Sequence, residues 1–220
     1  MKPVRLAILG LGTVGGGALK LLQENAAEIK RRTGREIQIT HVGTRRPRPD
    51  LNLEGIQQND DLMHIVRQPD VDVVVEVMGG IHPAYEVIME AIKHGKQVVT
   101  ANKALLAEHG NELFKAAEDN AVQIAYEAAV AGGIPIIKVI REGLAANHIQ
   151  GLAGIINGTG NFILTEMREK GRAFEDVLKE AQELGYAEAD PTFDVEGIDA
   201  AHKLTILASC AFGIPLQFDK

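Results

Sequence analysis

Lys203 stands four residues after Asp199, just ahead of an uncharged run, LTILASCAFG (204–213). The stretch before it is dense in carboxylates: Glu188, Asp190, Asp194, Glu196 and Asp199. A lysine at the start of an apolar helix loses hydration, so it must be paired or put to use. Used as an acid, it can give a proton to a carbonyl oxygen, or stabilise the charge that grows there, as hydride arrives at the carbon. Carboxylates beside such an acid suit a substrate that carries an ammonium group, with Glu188 and Asp199 as its holders. The plainer reading of Lys203 is an ion pair with Asp199 one helical turn away. Asp194 has a competing use as a helix N-cap ahead of Gly197. A second lysine of the same type is Lys103, just past the strand-like QVVT (97–100).

Gly10-Leu11-Gly12-Thr13-Val14-Gly15 fits G-x-G-x-x-G. The apolar run VRLAILG (4–10) precedes it, and Val14, Ala18, Leu21, Leu22, Ala26 and Ile29 recur after it at helical spacing. In that setting Gly10 makes the tight turn, Gly12 lets a pyrophosphate approach the backbone, and Gly15 lets the helix close on the strand. Unsatisfied N–H groups at the helix start then face phosphate oxygens. After the second strand, IQITHVG (37–43), a ribose 2′-hydroxyl site would show an acidic residue, but the chain reads Gly43-Thr44-Arg45-Arg46. That favours a 2′-phosphate, hence NADP, with NAD possible, and Arg45 as its first contact. The alternative for Arg45, Arg46 and Arg48 is a solvated basic loop. Gly79 and Gly80 follow the third strand at the sheet's carboxyl edge, where the rest of a dinucleotide passes.

These residues need a frame that sets them at strand ends and helix starts. VDVVVEVMGG (71–80) reads as a strand, PAYEVIMEAIKHG (83–95) as a helix, KQVVTANK (96–103) as a strand, ELFKAAEDN (112–120) as a helix and VQIAYEAAV (122–130) as a strand. Alternating strands and helices imply right-handed crossovers and an α/β fold, a doubly wound parallel (Rossmann) sheet. A helix over 131–144 follows, and the pattern then changes. We expect a dinucleotide-binding domain over 1–134 and a second, incomplete α+β substrate and dimerisation domain over 135–220. In the latter, a strand at 149–156 leads through NGTGN into a helix, and two further helices follow.

The formal charge is −7 without a long basic tract, which argues against a nucleic-acid partner. No stretch has the roughly 18 consecutive apolar residues of a membrane span, and glycines interrupt the apolar N-terminal run too early for a signal peptide. The single cysteine, Cys210, sits among Ala208, Ala211 and Phe212 and reads as a small core residue, which weakens any acyl-enzyme chemistry and fits a reducing compartment, the cytoplasm. His41, His64, His82, His94, His109, His148 and His202 show no metal-ligand spacing and read as structural.

GLGTVG, TANKALLA, EAAVAGGIPII, GIINGTGNFILTEM and LGYAEADPTFDVEGIDAAHKLTILA together resemble homoserine dehydrogenase over nearly the whole chain. The resemblance implies reversible NAD(P)-dependent interconversion of L-aspartate 4-semialdehyde and L-homoserine, on the route to threonine, methionine and isoleucine. It implies Lys203 as proton donor, Glu188 and Asp199 as substrate holders, and Lys103 as an active-site and cofactor contact. Thr13, Val14 and Arg45 match cofactor positions, and Gly185 lies beside the nicotinamide. It also implies a monovalent cation, usually sodium, at Glu127, Val130, Gly132 and Ile134, and a homodimer or homotetramer in the full-length form. Family members continue past the position of Lys220, which raises a competing reading: a catalytically silent NADP-binding fragment. A phosphorylating semialdehyde dehydrogenase would need a reactive cysteine, which Cys210 does not supply.

Overall fold

β1 (Val4–Leu9) buries its last four residues, and those residues run down the middle of a parallel sheet. In the computed structural model, which describes residues 2–187 and 190–220, β1 is joined by β2 (Ile37–Gly43), β3 (Gln57–Asn59), β4 (Val73–Glu76), β5 (Gln97–Thr100) and β6 (Ile124–Ala125). Among the described residues the order is β3-β2-β1-β4-β5-β6, with every neighbouring pair parallel. Strand order therefore departs in both directions from β1, the doubly wound arrangement with its switch point between β1 and β4. Register aligns Leu9 with Gly43 and Glu76, and Glu76 with Thr100, in one row at the carboxyl edge.

The chain divides into two units, Met1–Gly133 and Ile134–Lys220. In the first, α1 (Thr13–Glu24) and α2 (Ala26–Thr33) replace the single helix expected from Thr13 onward. Asn25 breaks it: its side chain donates to the Leu21 carbonyl at 3.0 Å, the local competition with helical backbone that asparagine offers. β3 and α3 (Leu62–Val66) are too short to show periodicity in the sequence; the Asp61 side chain starts α3 by accepting the His64 N–H. α4 (Ala84–Lys93) packs a stripe of Ala84, Val87, Ile88, Ala91 and Ile92. α5 (Lys103–Asp119) begins earlier than the expected 112 because Asn102 caps it, accepting the Leu105 N–H at 3.2 Å. The last expected strand, 122–130, shrinks to β6, since Glu127–Ala129 forms a 3-10 turn. One core cluster joins Ile8, Leu11, Leu19, Val42 and Leu51.

The second unit holds α6 (Ile136–Lys138), which runs into a π-helical turn at Val139–Gly143, then α7 (Gly158–Lys170), α8 (Phe174–Glu183), α9 (Thr192–Val195) and α10 (Ile198–Phe212). Ile163, Val177, Ala181 and Ala187 form its core cluster. Residues 149–156 are not the expected strand: the described residues of this unit hold no other strand, and a lone one would leave its N–H and C=O groups without ladder partners. Helix α10, which carries the uncharged stretch after Lys203, is buried on one face only, through Asp199, His202, Ile206 and Leu207, while Leu204 and Phe212 are exposed. Among the described residues no helix is long and apolar enough to cross a membrane.

Candidate active site

Two of the turn glycines are dictated by space. A Cβ on Gly15 would lie 1.8 Å from the Gly10 carbonyl oxygen, and one on Gly10, whose φ is +95°, would meet the Val77 carbonyl at 2.9 Å. Strand and helix thus touch through bare backbone. Gly12 differs, since a Cβ there meets nothing within 4 Å. Gly12, Thr13 and Val14 are exposed at the start of α1, where the first N–H groups of a helix lack internal acceptors.

The basic run behaves unexpectedly. Arg45 is exposed, in a turn where the Thr44 hydroxyl donates to the Arg46 carbonyl at 2.8 Å. Arg48 is the arginine that reaches the glycine turn: it donates to the Gly12 carbonyl at 3.4 Å and forks onto Asp50 at 2.8 and 2.7 Å. That fork holds the Asp50 carboxyl at about 2, well below its ordinary value. Further along the edge, Gly79 is exposed with φ +76°, and Lys103 is the first residue of α5.

In the second unit the Lys203 ammonium donates to Asp199 Oδ2 at 2.6 Å and to the Ile156 carbonyl at 2.7 Å. An ammonium has three protons, so this anchorage leaves a third N–H for another acceptor. Both side chains are well covered, with relative exposures of 20% and 12%. The lysine is therefore paired, and the same pairing aims it. Asn157 completes the arrangement: its amide donates to Asp199 Oδ2 at 3.0 Å and to Asp194 Oδ1 at 2.8 Å, while its oxygen caps α7 by accepting the Gly160 N–H. Asp194 consequently faces Asn157 and is not a side-chain cap for α10, whose N-cap Gly197 has none.

Gly185, with φ +73°, is exposed in the turn after α8, and the neighbouring Tyr186 carbonyl accepts the Thr159 hydroxyl at 2.7 Å. The start of α7 thus links the Gly185 turn to the Asp199–Lys203 pair. Glu188 lies outside the described residues. Of the expected cation residues, Glu127 is in the 3-10 turn, Val130 is buried and Gly132 is exposed, while Ile134 opens the second unit and is exposed. Among the described residues no three His, Cys, Asp or Glu side chains cluster as metal ligands. His202 packs against Phe218 with ring centroids 4.4 Å apart and ring planes tilted by 49°.

Sequence reasoning missed Asn157, Thr159 and the seat of Arg48. Asn157 had one available signal, its place three residues ahead of Gly160 at a helix start; its carboxylate partners lie 37 and 42 positions away.

The profile of the homoserine dehydrogenase NAD-binding domain matches residues 10–127, and that of homoserine dehydrogenase matches residues 135–220. The chain belongs to the homoserine dehydrogenase family. Homoserine dehydrogenase of Pseudomonas aeruginosa is 64% identical over 220 residues, which are all of this chain and 51% of that protein. The crystal structure of a homoserine dehydrogenase from Thiobacillus denitrificans superposes with a TM-score of 0.91 at 60% identity, covering 100% of this chain and 51% of that one. A hyperthermophilic archaeal homoserine dehydrogenase in complex with NADPH superposes at 0.84 and 30% identity, covering 98% of this chain and 71% of that one. The chain spans about half the length of the curated homoserine dehydrogenases it matches.

Proposed function

We propose that this chain carries the chemistry of homoserine dehydrogenase, the reversible reduction of L-aspartate 4-semialdehyde to L-homoserine on the route to threonine, methionine and isoleucine. The observation that carries the reading is the Lys203 ammonium, fixed by Asp199 and the Ile156 carbonyl and covered from bulk water. A bound nicotinamide dinucleotide supplies hydride to the aldehyde carbon. Lys203 gives a proton to the aldehyde oxygen as the hydroxyl forms, and regains one from water; in the reverse direction it accepts the hydroxyl proton. Asp199 holds the lysine in place, and Asp199 with Glu188 draws the substrate ammonium. Replacing Lys203 by alanine should lower kcat by about 10²- to 10⁴-fold with NADPH affinity unchanged. An unchanged kcat would remove the lysine from this role.

The dinucleotide binds over residues 1–134, with its pyrophosphate on Gly10, Gly12, Thr13, Val14 and Gly15 and further contacts at Gly79 and Lys103. NADP is preferred and NAD is possible. Arg45 remains a candidate for the 2′-phosphate, and the seat of Arg48 beside the glycine turn supports it as a second. Residues 135–220 supply the substrate site and the contact for a homodimer or homotetramer, and the reaction is cytoplasmic. A monovalent cation, sodium, would take the Glu127 carboxylate and the main-chain carbonyls of Val130, Gly132 and Ile134, hard oxygen donors that suit such an ion.

A further inference from the structure

Glu76 ends β4 and is fully buried, a costly place for a carboxyl group unless its oxygens are engaged. Both are. Oε1 accepts the Met78 backbone N–H at 2.8 Å, and Oε2 accepts the Thr100 hydroxyl at 2.6 Å. Thr100 Oγ1 in turn accepts the Asn102 N–H at 3.0 Å, and the Asn102 side chain donates to the Gly80 carbonyl while capping α5 through Leu105. The bonds close a ring: Glu76 to Thr100, Thr100 to Asn102, Asn102 to Gly80, and back along the chain through Met78.

The ring ties together the two loops that leave the sheet after β4 and β5. The first contains Gly79 and Gly80, both exposed and both at positive φ, so its own backbone is weakly constrained. Asn102, in the second, immediately precedes Lys103. In a doubly wound sheet a dinucleotide crosses the switch point, so the half beyond β1 lies over the ends of β4 and β5. An apolar residue at 76 could fill the same volume, but only an acceptor can hold Met78 and Thr100 together.

We propose that Glu76 is a positioning residue which, through Thr100 and Asn102, holds the Gly79–Gly80 backbone and the start of α5 ready for the nicotinamide half of the dinucleotide. This rests on the dinucleotide reading above. The test compares Thr100→Val, Thr100→Ser and Glu76→Gln with Val98→Ala, a buried substitution in the same strand outside the ring. Three quantities are read: amide hydrogen exchange of the ligand-free chain, NADPH affinity by titration, and the thermal midpoint. Thr100→Val should speed exchange at Met78 and Asn102 and weaken NADPH binding, each by about tenfold, the scale of one buried hydrogen bond. Thr100→Ser should restore both, and Glu76→Gln, which keeps one acceptor, should fall between. Val98→Ala should lower the thermal midpoint while leaving NADPH affinity within about twofold. Wild-type exchange rates in Thr100→Val, or an equal loss of NADPH affinity in Val98→Ala, would overturn the positioning role alone. Failure of the wild-type chain to bind NADPH would overturn the dinucleotide reading and the role with it.

Discussion

Asn157 separates two effects that usually coincide at a helix start. Its oxygen caps α7, and its amide stands between the carboxylates of Asp194 and Asp199, the second of which also holds Lys203. Aspartate caps helices as well as asparagine does, and loss of a cap costs about 1 kcal/mol. Asn157→Asp should therefore keep the cap yet set a third carboxylate against two others, lowering kcat/KM more than Asn157→Ala while melting at or above it. Steady-state kinetics beside thermal melts would check this; equal activity in the aspartate variant and the wild type would show that the amide bridge is not needed. The pairing of Lys203 with Asp199 was legible because one helical turn separates the two. The bridge was not, because it is made by folding residues from distant parts of the chain onto one point.

At the scale of elements, the glycine turn combines two demands. Gly15→Ala would drive a methyl group into the Gly10 carbonyl, so it should disrupt the β1–α1 packing and lower the thermal midpoint sharply. Gly12→Ala adds a methyl group in open space at an ordinary φ of −69°, so the fold should stand while NADPH affinity drops by about tenfold or more. Circular dichroism melts and NADPH titration distinguish the two, and tight NADPH binding by Gly12→Ala would remove the pyrophosphate from this turn. The strands β1, β2, β4 and β5 were readable because apolar runs ending in glycine or a polar turn are local signals. β3, α3 and α9 span three to five residues and offer no period to read. The seat of Arg48 was hidden for a different reason: its contact with Gly12 crosses 36 positions, while its neighbour Arg45 has the same charge and stays in solvent.

Across the whole molecule, the first unit carries an acid-sensitive tie between β1 and the segment entering β4. Arg5 binds Asp72 through its side chain and its backbone N–H, and the guanidinium holds that carboxyl at about 2, against burial, which opposes it. A depressed carboxyl pKa stabilises the fold above the ordinary value of 3.8, and that contribution is lost as pH falls through about 2. Asp72→Asn should thus lower the neutral thermal midpoint by roughly 2–4 °C, with the gap to wild type closing as pH falls from 4 towards 2. A gap that does not change with pH would mean that the pair contributes through shape alone.

The central claim is that the glycine turn and the Lys203 centre belong to one reductase. It is tested most directly by adding L-aspartate 4-semialdehyde and NADPH to the purified chain and following both NADPH oxidation and L-homoserine formation. The account predicts equal amounts of each, with a rate that falls by about 10²-fold or more in Lys203→Ala. NADPH binding without L-homoserine formation would contradict it and leave a cofactor-binding module without turnover.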